Sequence, residues 1–434
     1  MAATAEQPIN LRRNRILATS GVLIEWYDFM VYGLLATTIQ QVFYPTSDAT
    51  IGLILTFATF AVGYLARPIG GLVIGRLGDT RGRKFALVLA TMLMLVPLFV
   101  ITILPSYDQI GLLAPILLTL MRLMQGFSVG GEYSGALTAL SESAGASGRG
   151  RSVSLGLATA MGGNLLASLV VLCTTLIWGQ EALAAGTWRI PYALGFILCA
   201  ISVLLQRKMH ETEEFATAQK SGSTGSPVGV LWRHHRGPVL LMLALATWSG
   251  VTVYTLISWM PSYLETVVGV TSSRADATSA LVSLVYVSLI VPVAILGDRR
   301  GRRRLMYIAV VGYLILSVPA ILVLGRGMVV GAILAILILA TLQTLVDSTT
   351  TTEMTELIPT SVRYTGIALT YSIGMIIGSF TPALEESLVA ATGSVLVPAF
   401  VLMAISLLLV PVIVILPRYI ARARGEAAAP LGAS

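Results

Sequence analysis

Residues 77–84 read LGDTRGRK, and residues 296–303 read LGDRRGRR. The two stretches start 219 positions apart, about half of the 434 residues. A second motif is repeated at nearly the same separation along the chain. Glu142 and Arg149 are seven residues apart in the first copy, and Glu356 and Arg363 are seven residues apart in the second. Many membrane proteins that move solutes are built from two copies of one unit, with a binding site where the repeats meet. The repeat therefore predicts a duplicated architecture.

The composition indicates that the repeated unit is a membrane domain. The chain is 56% hydrophobic and 11% charged, with a mean hydropathy of +0.84, whereas a soluble domain has about 25% charged residues. Apolar stretches of about 20 residues recur along the chain, each long enough to cross a bilayer. They predict twelve membrane-spanning helices, near 16–43, 50–76, 85–104, 111–142, 151–178, 190–206, 238–264, 275–297, 304–325, 328–357, 362–385 and 393–416.

A polar connection rich in Ser, Gly and Thr divides these helices into two sets of six. We therefore expect an all-α membrane protein with two six-helix bundles, an N-terminal one over 1–206 and a C-terminal one over 238–434, joined by a cytoplasmic linker over 207–237. The first apolar stretch is too long for the core of a cleavable signal peptide, which has about 7–15 residues, and is expected to be retained.

The distribution of positive charge predicts the orientation. If the N-terminus lies in the cytoplasm, 23 of the 28 Lys and Arg fall on cytoplasmic segments, as the positive-inside rule requires. Both termini are then cytoplasmic, and we expect a multi-pass protein of the bacterial inner membrane, most simply a monomer. The net charge of +7 needs no nucleic-acid partner to explain it. The two cysteines form neither a disulfide framework nor a metal-binding pattern, and no cofactor is expected.

The loop sequence GRLGDTRGRK resembles the signature of the major facilitator superfamily. Glycines let the loop turn tightly, and neighbouring arginines and a helix N-terminus can stabilise Asp79 at the end of the second helix. Arg83 can then reach Glu142 or its surroundings and latch the cytoplasmic face shut. The alternative is that these arginines serve only as topology signals. We expect a cytoplasmic gate built from Gly75, Asp79, Gly82, Arg83, Glu142, Arg149, Asp298, Arg302, Glu356 and Arg363.

Further motifs narrow the resemblance to the metabolite–proton symporter family, which includes transporters of citrate, α-ketoglutarate, shikimate and proline or betaine. They are EWYDFMVYG, RPIGG, RLMQGFSVGGEYSGA, WRIP and ETEEF. The resemblance implies alternating-access import of a small organic acid with protons and no enzymatic activity. One alternative is a zwitterionic compatible solute such as proline or betaine, although the C-terminus lacks the heptads of osmosensing members. Another is a nontransporting sensor on the same fold.

Charged residues inside the spans are the candidates for coupling, because an ionisable group in a membrane is costly and usually functional. Glu25, Asp28 and Tyr32 share one face of the first helix, and Arg122, Gln125, Ser128 and Glu132 form a stripe on the fourth. In the resembled fold the first and fourth helices line the central cavity, and resemblance to the sugar–proton branch of the superfamily implies an Asp–Arg pair as the proton site. We therefore expect Asp28 to pair with Arg122 and to take up a proton when a substrate anion engages Arg122. Glu132 is the second candidate for the proton, and Glu25 is either coupled or structural. The alternative is a static buried ion pair.

Candidate substrate ligands lie on four other helices. Arg67 is 12 residues before Asp79 and therefore deep in the bilayer. The family resemblance implies that Arg67 and Arg189 bind substrate carboxylates, although Arg189 could equally be an anchor at a helix end. Gln343, Asp347 and Glu353 give the tenth helix a polar face whose acids could be protonated, bind a second proton or accept a substrate amine. The expected binding set is Arg67, Arg122, Tyr32, Gln125, Arg189, Asp347, Gln343, Glu353 and Tyr254.

Overall fold

The computed structural model describes residues 21–81, 83–130, 149–207, 227–324, 329–358 and 360–428. Helices account for nearly all of these residues, and no strand occurs among them. The long apolar segments are numbered here α1 to α12 in chain order. The first six are α1 (Gly21–Leu34, continued by Ala36–Phe43), α2 (Ala49–Leu65, continued by Arg67–Arg81), α3 (Arg83–Ile103), α4 (Leu113–Val129), α5 (Arg149–Ala182) and α6 (Arg189–Gln206).

The second six segments follow the linker. They are α7 (Arg236–Val253, continued by turns of π-helix and α-helix to Val268), α8 (Ser272–Arg300), α9 (Arg302–Leu324), α10 (Val329–Glu356), α11 (Thr360–Ser379, continued by Thr381–Thr392) and α12 (Val397–Ala428). Two short helices, Tyr107–Ile110 and Pro227–His234, lie between the long ones.

Within the described residues, ten helices are long and apolar enough to cross a membrane. The two parts of α1, which meet at an angle of 66°, would make an eleventh span, and α4 is a shorter apolar helix of 17 residues. The all-helical membrane fold predicted from hydropathy is thus confirmed. Boundaries differ substantially at α11 and α12. Helix α11 continues to Thr392, past the predicted end at 385, because Glu385 and Glu386 are buried instead of ending the span. Helix α12 continues to Ala428, past the predicted end at 416, because a basic segment extends the helix beyond its apolar stretch.

The helices pack densely within each set of six. In the first set α3 packs on α4 and α6, and α2 packs on α4; in the second α7 packs on α11, and α9 packs on α10 and α12. The two sets meet where α5 packs on α8 and where α2 packs on α11. The boundaries predicted for the two bundles and their linker stay a prediction.

Glycines bring α2 and α4 unusually close together. A Cβ added at Gly70 would overlap the carbonyl oxygen of Phe127, and one added at Gly130 would overlap the carbonyl oxygen of Arg67. Small residues allow membrane helices to approach until their backbones touch. This crossing fixes the positions of the two buried arginines, Arg67 on α2 and Arg122 on α4.

Candidate functional site

The middle of the N-terminal set holds two buried acids and two buried arginines. Glu25 and Asp28 are 1% and 0% exposed, and Arg67 and Arg122 are 5% and 0% exposed. The acids are three residues apart on α1 and share its inner face, as predicted. Because α2 and α4 cross closely, their arginines reach α1 side by side.

Asp28 and Arg122 are in contact. Their carboxylate Oδ2 and guanidinium Nη1 are 3.4 Å apart, and the same Nη1 donates a hydrogen bond to Gln125 Oε1 at 2.9 Å. Among the described residues, Nε and Nη2 of Arg122 have no hydrogen-bond partner. A fully buried guanidinium therefore retains two donor groups that a bound carboxylate could use.

Glu25 pairs with the second arginine. Its Oε1 lies 3.0 Å from Nη1 of Arg67, and both side chains are buried. The sequence placed Arg67 among substrate ligands and Glu25 among coupling residues, but did not predict that they would be partners. Two acids match two arginines, so the cluster carries no net charge when all four groups are ionised.

Aromatic rings enclose both guanidinium groups. The centroid of Phe29 is 4.4 Å from Cζ of Arg67 and 4.4 Å from Cζ of Arg122. Tyr64 lies 4.1 Å from Arg67, and Tyr32 lies 4.5 Å from Arg122. Stacking of this kind stabilises a desolvated cation. The predicted ligand Tyr32 thus contacts Arg122 through its ring, while its hydroxyl donates to the carbonyl of Thr56 at 3.0 Å.

The C-terminal set holds a buried acid in a different setting. Asp347 on α10 accepts hydrogen bonds from the hydroxyls of Ser249 and Tyr286 and, at 2.8 Å, from Nε2 of Gln343. Gln343 is in turn held by the hydroxyl of Tyr313, at 3.0 Å from its Oε1. These neighbours are neutral donors, and they stabilise a carboxylate without cancelling its charge.

Helix α7 joins the two sets at the middle of the molecule. Its residues Tyr254–Trp259 form a π-helix, a geometry that is frequent at functional sites. The ring of Tyr254 packs on Phe60 and Tyr64 of α2, with centroids 5.4 Å apart in both cases. Ser258 packs directly against Gly33 of α1. The predicted ligand Tyr254 therefore lies between the halves, beside the aromatic shell of Arg67.

Three buried acids were missed by sequence reasoning. Thr255 donates to Glu385 at 2.8 Å, Trp259 donates to Glu386 at 2.9 Å, and Thr175 of α5 donates to Asp276 of α8 at 2.6 Å. Asp276 lies in the first turns of α8, and Glu385 and Glu386 lie at the predicted end of a span, where hydropathy could not separate a buried acid from a solvated one. The usable signal was the adjacent pair EE between apolar residues in TPALEESLVAAT.

Two of the predicted substrate ligands lie apart from these clusters. Arg189, at the start of α6, donates to the carbonyl of Leu104 at 2.8 Å and stacks on Trp188. These contacts agree with the alternative role given above for Arg189, an anchor at a helix end. Glu353 lies 3.5 Å from Arg302, at the end of the bundle that carries the α8–α9 connection. We call this the basic end, because it carries Arg299, Arg300, Arg302, Arg303 and Arg304.

At the basic end, Arg302 connects the predicted gate residues of the second repeat. Its guanidinium lies 2.8 Å from Asp298 and 2.8 Å from Glu356. Asp298 also accepts a hydrogen bond at 3.2 Å from the backbone N–H of Arg151, in the first turn of α5, and thereby links the two sets of helices. Arg363 is buried. Gly82, Glu132 and Glu142 lie outside the described residues, as do the side-chain environments at Gly75, Asp79, Arg83 and Arg149.

Comparison with known proteins identifies the family to which this fold belongs. The family model described as Major Facilitator Superfamily matches residues 18–382. The chain belongs to the major facilitator superfamily. Among solved structures, a partially occluded inward-open conformation of the xylose transporter of E. coli has a TM-score of 0.75 at 17% identity and covers 94% of this chain and 97% of its own. A crystal structure of a D-xylose–proton symporter has a TM-score of 0.72. At these identities the likeness shows the superfamily fold.

Several curated relatives are more similar to this chain in sequence than these solved structures are. The glycine betaine/proline/ectoine/pipecolic acid transporter of Dickeya dadantii is 33% identical over 412 residues, which are 92% of this chain and 81% of the relative. A proline/betaine transporter of Salmonella typhimurium is 33% identical over 413 residues, 92% of this chain and 82% of the relative. A putative proline/betaine transporter of Staphylococcus aureus is 34% identical over 408 residues, 91% of this chain and 86% of the relative. All three are bacterial, and their names agree with the alternative substrate class better than with an organic acid.

Proposed function

We propose that this member of the superfamily is a proton symporter of the bacterial inner membrane that imports a zwitterionic solute of the proline or betaine class. Three relatives at 33–34% identity over more than nine-tenths of the chain are named for such solutes. This proposal replaces the organic-acid hypothesis as the leading interpretation. The proton and the orientation are part of the proposal.

The charge of the site supports a zwitterion. A di- or tricarboxylate would require an excess of positive charge, but Glu25 and Asp28 balance Arg67 and Arg122. Asp347, in the opposite half, adds a carboxylate whose described partners are neutral. A molecule with one carboxylate and one cationic nitrogen can satisfy both halves. Its carboxylate matches the donors of Arg122, and its nitrogen matches Asp347 and the aromatic rings of Phe60, Tyr64 and Tyr254.

The contact that carries the proposal is the one between Asp28 and Arg122. In the empty site Arg122 stabilises the ionised Asp28 across 3.4 Å. When the substrate carboxylate binds Nε and Nη2 of Arg122, two buried carboxylates share one guanidinium charge, and protonation of Asp28 removes the cost of the uncompensated charge. Proton and solute are then bound together, and the loaded site carries no uncompensated charge when the halves move around it.

The test is uptake by proteoliposomes of the purified protein under an imposed pH gradient, acidic outside. Labelled proline and glycine betaine should accumulate, and a protonophore should abolish the accumulation. Citrate and α-ketoglutarate, offered in the same way, should not accumulate. Gradient-driven uptake of the two acids alone would restore the organic-acid hypothesis, and solute uptake that is indifferent to the gradient would remove the proton from the mechanism.

A further inference from the structure

Asn164 on α5 is a buried amide that the mechanism above does not use. Its side chain is 0% exposed, and neither Oδ1 nor Nδ2 has a hydrogen-bond partner among the described residues. Buried polar groups are nearly always hydrogen-bonded, because an unpaired one costs free energy comparable to a lost hydrogen bond. An amide with both its donor and its acceptor unsatisfied therefore calls for a further polar partner.

The packing of α5 against α8 shows which residues of α8 lie at the level of this amide. Thr175 bonds to Asp276, Ser168 lies 3.4 Å from Ser283, and Arg151 bonds to Asp298, so residue numbers fall along α8 as they rise along α5. Asn164 is one turn before Ser168, and residues four apart share a helix face. Its level on α8 is therefore one turn beyond Ser283, at Tyr286 and Val287.

That level is the level of the charged groups in both halves. Tyr286 is the residue whose hydroxyl donates to Asp347. On the other side, Gly163, the neighbour of Asn164, packs against the backbone of Leu23 and Tyr27 on α1, immediately before Asp28. Asn164 thus lies where α5 passes between the N-terminal ion pairs and the C-terminal carboxylate.

We propose that Asn164 is a substrate-binding residue that distinguishes zwitterions carrying an N–H from fully methylated ones. This inference rests on the proposed function. The ring nitrogen of proline or pipecolic acid is a secondary ammonium with two N–H donors, and Oδ1 of Asn164 accepts from one of them. Glycine betaine has a quaternary nitrogen without N–H, so it makes no such bond and depends on aromatic rings and charge.

The chemistry predicts a selective effect of removing the amide. A site built to accept a substrate N–H favours that substrate over an analogue without one. In Asn164→Ala the KM for proline should rise about tenfold or more, as expected for loss of a hydrogen bond to a charged group. The KM for glycine betaine should change by less than about threefold, because its quaternary nitrogen has no N–H and makes no hydrogen bond to Oδ1 that the substitution could remove.

The experiment compares KM for both solutes in proteoliposomes of wild type, Asn164→Ala and Ser168→Ala. Ser168 is the matched control, because it lies one turn away on the same buried face and its hydroxyl already donates to the carbonyl of Asn164 at 3.1 Å. The ratio of the two KM values should change only in Asn164→Ala. Equal shifts for both solutes, or no shift, would overturn the inference and would identify the amide as structural or water-bound.

Folding is monitored separately, by the stabilisation that each solute gives the purified variant on heating. Proline should lose most of its stabilising effect on Asn164→Ala, while betaine should keep it. If the variant does not fold, Asn164→Ser and the same two measurements replace it. Failure of the wild type to bind or transport either solute would instead refute the proposed function, so the two failures are distinguishable.

Discussion

Replacing Asp298 by Asn should loosen the link between the two sets of helices at the basic end. The carboxylate of Asp298 receives the N–H of Arg151 in the first turn of α5 at 3.2 Å, and Arg302 holds it in place at 2.8 Å. The carboxylate of Asp298 can approach α5 this closely because residue 150 is glycine, and a Cβ there would overlap the carboxylate. The contact joins an acid of one half to the positive end of a helix dipole in the other.

The expected size of the effect follows from these contacts. Asn keeps an oxygen that can accept the N–H, but loses the charge that interacts with the helix terminus, about 0.3–2 kcal/mol, and the charge assistance of the hydrogen bond, about 1 kcal/mol. Because Arg302 would still partly organise the loop, we expect a net loss of about 1–2 kcal/mol. The fraction of molecules open at the basic end should then rise about 5- to 30-fold.

The assay is alkylation of a cysteine placed at Val153, which is 0% exposed on α5 near this contact. In a background lacking Cys173 and Cys199, the rate of reaction with a maleimide reports how often α5 and α8 separate. Asp298→Asn and, independently, Gly150→Ala should accelerate the reaction.

The control for the alkylation assay is Arg303→Gln, which removes a charge from the same connection. The guanidinium of Arg303 contacts Tyr307 of its own helix and should not affect the rate. If Asp298→Asn reacts no faster than wild type, or Arg303→Gln reacts as fast as Asp298→Asn, the contact between Asp298 and Arg151 does not hold α5 and α8 together.

Three further predictions concern the buried clusters. Asp28→Asn should abolish gradient-driven accumulation while retaining exchange of solute across the membrane, because the amide cannot carry a proton; accumulation by this variant would exclude Asp28 as the carrier. Glu25→Gln leaves Arg67 buried without its charged partner and should destabilise the protein by about 3–5 kcal/mol. The loss should appear as a lower melting temperature in detergent, and the double variant with Arg67→Met should recover part of it. Gly70→Val should prevent the close crossing of α2 and α4 and destabilise the fold by about 1–3 kcal/mol or more. Gly162→Ala should be neutral, because a Cβ at residue 162 meets nothing within 4 Å. Equal melting temperatures for the two variants would show that Gly70 is not needed for the close crossing.

The fold was predictable because apolar stretches, positive-charge bias and a repeated loop all indicate the same architecture. The contact between Asp28 and Arg122 was also foreseeable, since charges inside apolar helices must face partners and the resembled fold places the first and fourth helices beside the same cavity. The partner of Glu25 was not foreseeable. Depth along a helix can be counted, but which of two arginines faces which acid depends on how closely α2 and α4 cross.

Other parts of the site needed the three-dimensional packing. Glu385 and Glu386 fell at the predicted end of a span, where an acid usually meets water, and only the partners on α7 reveal that they are buried. Asn164 stands in a run of small residues and becomes informative only through the register of α5 against α8. The family resemblance alone implied an organic acid; the names of the relatives favour the zwitterionic alternative, and the two acids paired with the two arginines leave the cluster neutral.

The central claim is that solute and Asp28 compete for Arg122, so that binding of the solute drives uptake of a proton. The direct measurement is the pH change of a weakly buffered solution of the purified protein when proline or glycine betaine is added, read with an indicator dye. Wild type should take up as much as about one proton per bound solute, and Asp28→Asn should take up none while still binding. Solute binding without proton uptake in the wild type, or undiminished uptake in Asp28→Asn, would contradict the account.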